Sequence, residues 1–194
     1  MRIGLFFGSF NPVHTGHLIL ANYMAQYTDL EQVWLVVSPH NPLKEKSTLA
    51  RDRDRLNMAQ LAVEGNSKLR ASNVEMKLPQ PSYTIDTLTY LAEQFPQHEF
   101  ALIMGGDNLI SLPKWKNYAI LIENYPIYVY ARPDAPIDAT THLANHKNIH
   151  ILTDVPQMQI SATFIRDALK NGKSIRYLVP EKVMYYIEEG RMYK

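Results

Sequence analysis

The chain has 194 residues, 46% of them hydrophobic and 20% charged, which suits one soluble domain with a sizeable core. A formal net charge of +1 leaves neither a broad basic field for nucleic acid nor an acidic tail for a basic partner. Cysteine is absent, which excludes disulfides, thiolate catalysis and Cys-ligated zinc and fits a reducing compartment. Met1 leads straight into an apolar run, with no charged leader, cleavage site or apolar span of the roughly 18 residues a membrane crossing needs. The expectation is a cytoplasmic protein with no membrane partner.

Apolar runs alternate with helical patterns along the whole chain. Residues 3–7 read as a short buried strand, 8–17 as a turn and 18–25 as a packed helix. Residues 32–38, nearly all apolar and β-branched, suit a parallel strand covered on both faces, with Trp34 in the core. Together these form a βαβ unit whose crossover should be right-handed. Residues 39–46 break the pattern as a loop, and its Lys44 is a candidate phosphate contact against the commoner alternative of solvated charge. A helix is predicted over 48–64, N-capped by Thr48 and ended at Gly65-Asn66. Its alternating Arg51, Asp52, Arg53, Asp54 and Arg55 read as a solvated face.

A weaker strand follows at 68–74, then a loop at 76–81. The next helix opens at Ser82 and runs to about Phe95, with Ser82, Thr84 and Asp86 all capable caps. Residues 100–104 are a fourth strand, 126–131 a fifth and 150–152 a last one, while 135–148 show no periodicity. His98, His142, His146 and His150 read as surface or strand-edge residues. A helix N-capped by Ser161 ends at Asn171-Gly172, and an amphipathic helix near Pro180 closes the chain before Gly190. The predicted fold is α/β, a single-domain Rossmann-like doubly wound parallel sheet. Its core spans 1–155, and a C-terminal helical subregion spans 156–194.

Open sheets of this kind bind ligands where strands hand over to helices. The first such turn is Gly8-Ser9-Phe10-Asn11-Pro12-Val13-His14-Thr15-Gly16-His17. Gly8 lets the backbone turn or approach a ligand, Pro12 stiffens the loop and Thr15 is the expected N-cap. His14 and His17 are three apart, so they share a face at the positive end of a helix, beside N–H groups that favour phosphate. The plainer reading has one histidine capping and the other packing. No third ligand at metal spacing supports zinc. Gly105-Gly106-Asp107 ends the fourth strand, where glycine permits close approach and a carboxylate can take ribose hydroxyls. Thr163 and Arg166, again three apart, add a hydroxyl and a guanidinium to one helix face, an anion cradle.

The segment from Gly8 to His17 resembles the signature of the nucleotidylyltransferase superfamily, whose H-x-G-H pair it carries. Ile160-Ser161-Ala162-Thr163-Phe164-Ile165-Arg166 is similar to the same superfamily's I-S-x-T-x-I-R motif, with each fixed position matched. Within it the chain most resembles the bacterial nicotinate-mononucleotide adenylyltransferases, from Gly8 to the final helix. The resemblance implies transfer of AMP from ATP to nicotinate mononucleotide, giving deamido-NAD and pyrophosphate. It implies catalysis by His14, His17 and Arg166, and ATP binding by Gly8, Ser9, Phe10, Gly105, Asp107, Ser161 and Thr163. Tyr83, Thr84, Trp115 and Lys44 would bind the mononucleotide, with Thr84 on its carboxylate, Trp115 stacked on its ring, and Lys116 and Asn117 adding backbone N–H groups. Mg²⁺ would ride on the ATP phosphates with no dedicated protein ligands.

The nearest alternatives are a sister enzyme using nicotinamide mononucleotide, phosphopantetheine or FMN, and a non-catalytic nucleotide-sensing module. A tRNA synthetase is disfavoured by the short, nearly neutral chain, and a dehydrogenase by Gly-Ser-Phe in place of G-x-G-x-x-G. The sequence leaves open whether the chain forms a homo-oligomer.

Overall fold

The apolar runs form six strands: β1 (Arg2–Gly8), β2 (Gln32–Val37), β3 (Leu69–Ser72), β4 (Glu99–Gly105), β5 (Ile127–Tyr130) and β6 (Ile149–Leu152). The structure is a computed structural model that describes residues 1–39, 49–131 and 142–193. All six strands pair in parallel in the order β3-β2-β1-β4-β5-β6. The order reverses at β1, which pairs with β2 on one side (Phe6 beside Leu35) and with β4 on the other (Phe6 beside Ile103). That reversal opens a crevice at the strands' carboxyl ends.

Strand alternation sends neighbouring side chains into opposite layers. Val33, Leu35 and Val37 of β2 join one core, and Trp34 and Val36 join the other. The first layer is covered by α1 (Thr15–Tyr27), α2 (Asp52–Val63), α6 (Ala162–Lys170) and α7 (Glu181–Glu189), through Met24, Met58, Ile165 and Val183 among others. The second is covered by α3 (Thr84–Gln94), α4 (Gly106–Ser111) and α5 (Tyr118–Asn124), through Leu88, Leu109 and Leu121. Because α6 and α7 share a core with α1 and α2, the C-terminal helices belong to the same domain as the sheet.

Several local expectations change. His14, in extended conformation, is the N-cap of α1, and Thr15 is its first helical residue. The Thr15 hydroxyl instead donates to the Tyr177 carbonyl at 3.1 Å. Tyr83, not Ser82, Thr84 or Asp86, precedes α3, with no side-chain cap bond. Residues 74–77 form a 3₁₀ turn rather than strand and loop. Gly106 and Asp107 open a short helix, α4, and neither it nor α5 was foreseen. Ser161 does cap α6, accepting the Phe164 N–H at 3.1 Å, and Gly172 follows that helix at φ +64°. Thr48 and Lys44 lie outside the described residues.

Away from the crevice, at the amino edge of the sheet, Arg2 pairs with Asp29 and Glu99, and Tyr128 donates to Asp29. Burial and that carboxylate push the Tyr128 hydroxyl up to about 12. No helix among the described residues is long and apolar enough to cross a membrane.

Candidate active site

A cleft of about 740 Å³ opens at the β1/β4 reversal. Gly8, Ser9, Phe10, His14 and His17 line it from the first turn, Asp107 from the start of α4, and Ser161 from the cap of α6. The N-termini of α1 and α6 therefore border one space, which brings the positive ends of two helices together, with the Thr15 N–H taken by the Leu178 carbonyl and the Phe164 N–H by Ser161 Oγ.

The loop's shape follows from a few contacts. Phe10 is buried at φ +45°, and its ring packs edge-on to Phe6. A Cβ at position 8 would sit 3.0 Å from that ring, so any larger residue there would press on Phe10 and displace it by a few tenths of an ångström. The His14 and His17 rings stack with centroids 3.6 Å apart. The His14 N–H donates to His17 Nδ1 at 3.2 Å, which leaves the proton of a neutral His17 on Nε2. A Cβ at position 16 would come within 3.1 Å of His14 Nδ1, so Gly16 makes room for the His14 ring. His14 Nδ1 is buried without a hydrogen bond, and burial lowers the residue's pKa to about 4. His14 is thus neutral at pH 7. The plainer sequence reading, in which one histidine caps and the other packs, describes part of this geometry but not the orphaned nitrogen.

Arg166 donates to the Asn11 carbonyl at 2.8 Å and to Thr163 Oγ1 at 3.2 Å. The predicted Thr163–Arg166 pairing is present, but both residues sit beside the cleft rather than on its wall, as does Gly105. Tyr83 and Thr84 stand at the start of α3 and Trp115 follows the turn at 112–114, and none of the three lines the cleft. Lys116 pairs with Asp86 of the first turn of α3 at 2.7 Å and lies 4.8 Å above the Tyr83 ring. Trp115 is partly buried against the second core and partly exposed.

Three residues that organise the loop were missed by sequence reasoning. Arg55 is fully buried rather than on a solvated face, and its guanidinium holds the carbonyls of Ser9 (2.5 Å), Ser38 (2.8 Å) and Ala50 (3.2 Å). Its place was readable: it lies three and four residues before the buried Met58 and Ala59, on the inner stripe of α2. Asn11 Oδ1 accepts from the Ala50 N–H at 3.0 Å and from the Tyr193 hydroxyl at 2.7 Å. Burial pushes the Tyr193 hydroxyl well above its ordinary pKa. No short-range pattern announces this last bond, which joins residues 182 apart.

The described residues contain no group of three or more His, Asp or Glu arranged to hold a metal ion. The cleft's chemistry is that of an anion site: helix N-termini, imidazoles and a guanidinium around the turn, with one carboxylate, Asp107, on the far wall.

Comparison with known proteins agrees. The cytidylyltransferase-like family model matches residues 5–168. A protein of Flavobacterium johnsoniae named as a probable nicotinate-nucleotide adenylyltransferase is 53% identical over the full length of both chains. One of Bacteroides fragilis with the same name is 44% identical, covering 92% of this chain and 87% of its own. Among solved structures, Plasmodium falciparum nicotinic acid mononucleotide adenylyltransferase complexed with NaAD superposes with a TM-score of 0.80 at 18% identity, over 99% of this chain and 97% of that one. This likeness establishes the shared fold. With full-length identity above half to named relatives and a family model spanning both motifs, the chain belongs to the cytidylyltransferase-like family and, within it, to the nicotinate-nucleotide adenylyltransferases.

Proposed function

We propose that the cleft transfers AMP from MgATP to nicotinate mononucleotide, releasing pyrophosphate and deamido-NAD. The observation that carries this reading is the stacked His14–His17 pair at the start of α1, with Arg166 tethered to the same turn. The mononucleotide's phosphate is already an anion, so attack on the α-phosphorus needs no protein base and no covalent intermediate. Catalysis then consists of holding two phosphates in line and stabilising charge on the departing pyrophosphate.

In this reading His17 donates from Nε2 to the reacting phosphates, and His14, stacked on it, contacts the phosphates at the same end of the cleft. Arg166, Thr163 and Ser161, with the α6 N-terminus, hold the β- and γ-phosphates. Gly8, Ser9 and Phe10 approach the triphosphate through their backbone, while Gly105 and Asp107 take the adenylate sugar. Thr84 and the α3 N-terminus receive the pyridine carboxylate, and Trp115 offers its ring face, with Tyr83 alongside. Magnesium enters as part of MgATP, through phosphate oxygens.

The test is pyrophosphate release from MgATP with nicotinate mononucleotide and nicotinamide mononucleotide offered separately. A strong preference for the acid is expected. Equal rates would undo the carboxylate assignment, and no release with either would refute the reaction.

A further inference from the structure

We infer that Arg55 is a positioning residue that sets the polarity of the phosphate-facing turn. The inference rests on the adenylyl-transfer reading and concerns a residue outside both motifs. Arg55 has no exposed surface and does not line the cleft, so it lies behind the turn. Its guanidinium ties together three segments that meet there: Ser9 after β1, Ser38 after β2 and Ala50 before α2. Asp52, 2.6 Å away and 41% exposed, is its carboxylate partner.

The consequence lies in the Ser9–Phe10 peptide. A trans peptide plane points its C=O and N–H in opposite directions. With the Ser9 oxygen drawn back to Arg55, the Phe10 N–H faces the cleft. It makes no hydrogen bond to any described residue. Two residues on, Arg166 holds the Asn11 carbonyl in the same way. The two arginines thus grip the carbonyls on either side of Phe10 and keep it at φ +45°, a conformation its side chain alone would not favour. Arg55 also leaves a positive charge directly behind the donor. A lysine would keep the charge but has no planar fork to reach three carbonyls at once.

The test is Arg55→Lys, with kcat and KM measured for each substrate and thermal unfolding followed in parallel. The expected result is a fall of about 10- to 100-fold in kcat/KM for ATP, the scale of a displaced oxyanion donor, with KM for nicotinate mononucleotide within about twofold of wild type. Asp52→Asn changes a half-exposed partner and serves if Arg55→Lys does not fold; it should lower the same ATP parameter about threefold. An ATP parameter within about twofold of wild type in folded Arg55→Lys would overturn the inference, as would equal losses for both substrates, which mark general loosening. Wild-type protein that released no pyrophosphate would fault the functional reading instead. The variants would then be compared by calorimetric ATP binding, where an unchanged Kd overturns the role of Arg55.

Discussion

Replacing His14 with Gln should flatten the acid limb of the protein's stability curve. His14 is 6% exposed and its pKa falls from 6.5 to about 4 because burial disfavours the charged ring. The unfolded chain protonates near pH 6.5, while the folded chain resists until about pH 4. Between those values the unfolded state binds more protons. Stability from this residue is therefore fully present above pH 6.5 and lost as the pH falls toward 4. At about 1.4 kcal/mol per pH unit the whole window amounts to ~3 kcal/mol, of which ~2 kcal/mol falls between pH 8 and 5. Urea unfolding of wild type and His14→Gln at both pH values isolates the effect, since the other titrating groups are common to both proteins. Wild type should lose ~2 kcal/mol more than the variant. Losses equal to within about 0.5 kcal/mol would show that the ring is not held neutral by burial.

Other expectations are independent of that one. Trp115→Ala should raise KM for nicotinate mononucleotide about tenfold while kcat changes less than about threefold, because ring stacking is mostly ground-state binding; steady-state kinetics decides, and an unchanged KM removes Trp115 from the substrate pocket. Tyr193→Phe deletes one hydrogen bond but leaves Asn11 Oδ1 with the Ala50 N–H, so no acceptor is orphaned. Chemical denaturation should show a loss of about 1 kcal/mol. A loss above about 3 kcal/mol would mean the tail does more than close this contact.

Much of the fold was legible because a parallel sheet buried on both faces writes itself as continuous apolar runs. Residues 32–38 and 100–104 coincide with β2 and β4 to within a residue or two. The ends of helices were less legible. Ser161 caps α6 as its sequence suggests, whereas Thr15 and Ser82 do not cap, because tertiary contacts claim Thr15 and the chain enters α3 one residue later. The site divides in the same way. His14 and His17 lie within one helical turn, so their spacing alone predicted a shared face. Arg55 was read as solvated because it stands in an alternating charge run, and charge outweighed its place in the helical period. The bond from Tyr193 to Asn11 depends on the complete fold bringing the chain's end to its first turn, and no local rule encodes it.

Turnover of His17→Ala tests whether the paired histidines stabilise adenylyl transfer. Pyrophosphate release from MgATP and nicotinate mononucleotide should fall by on the order of 100-fold or more, with ATP still bound, as expected when a transition-state contact is lost. Turnover close to that of wild type would contradict the claim and move the chemistry away from the His14–His17 stack.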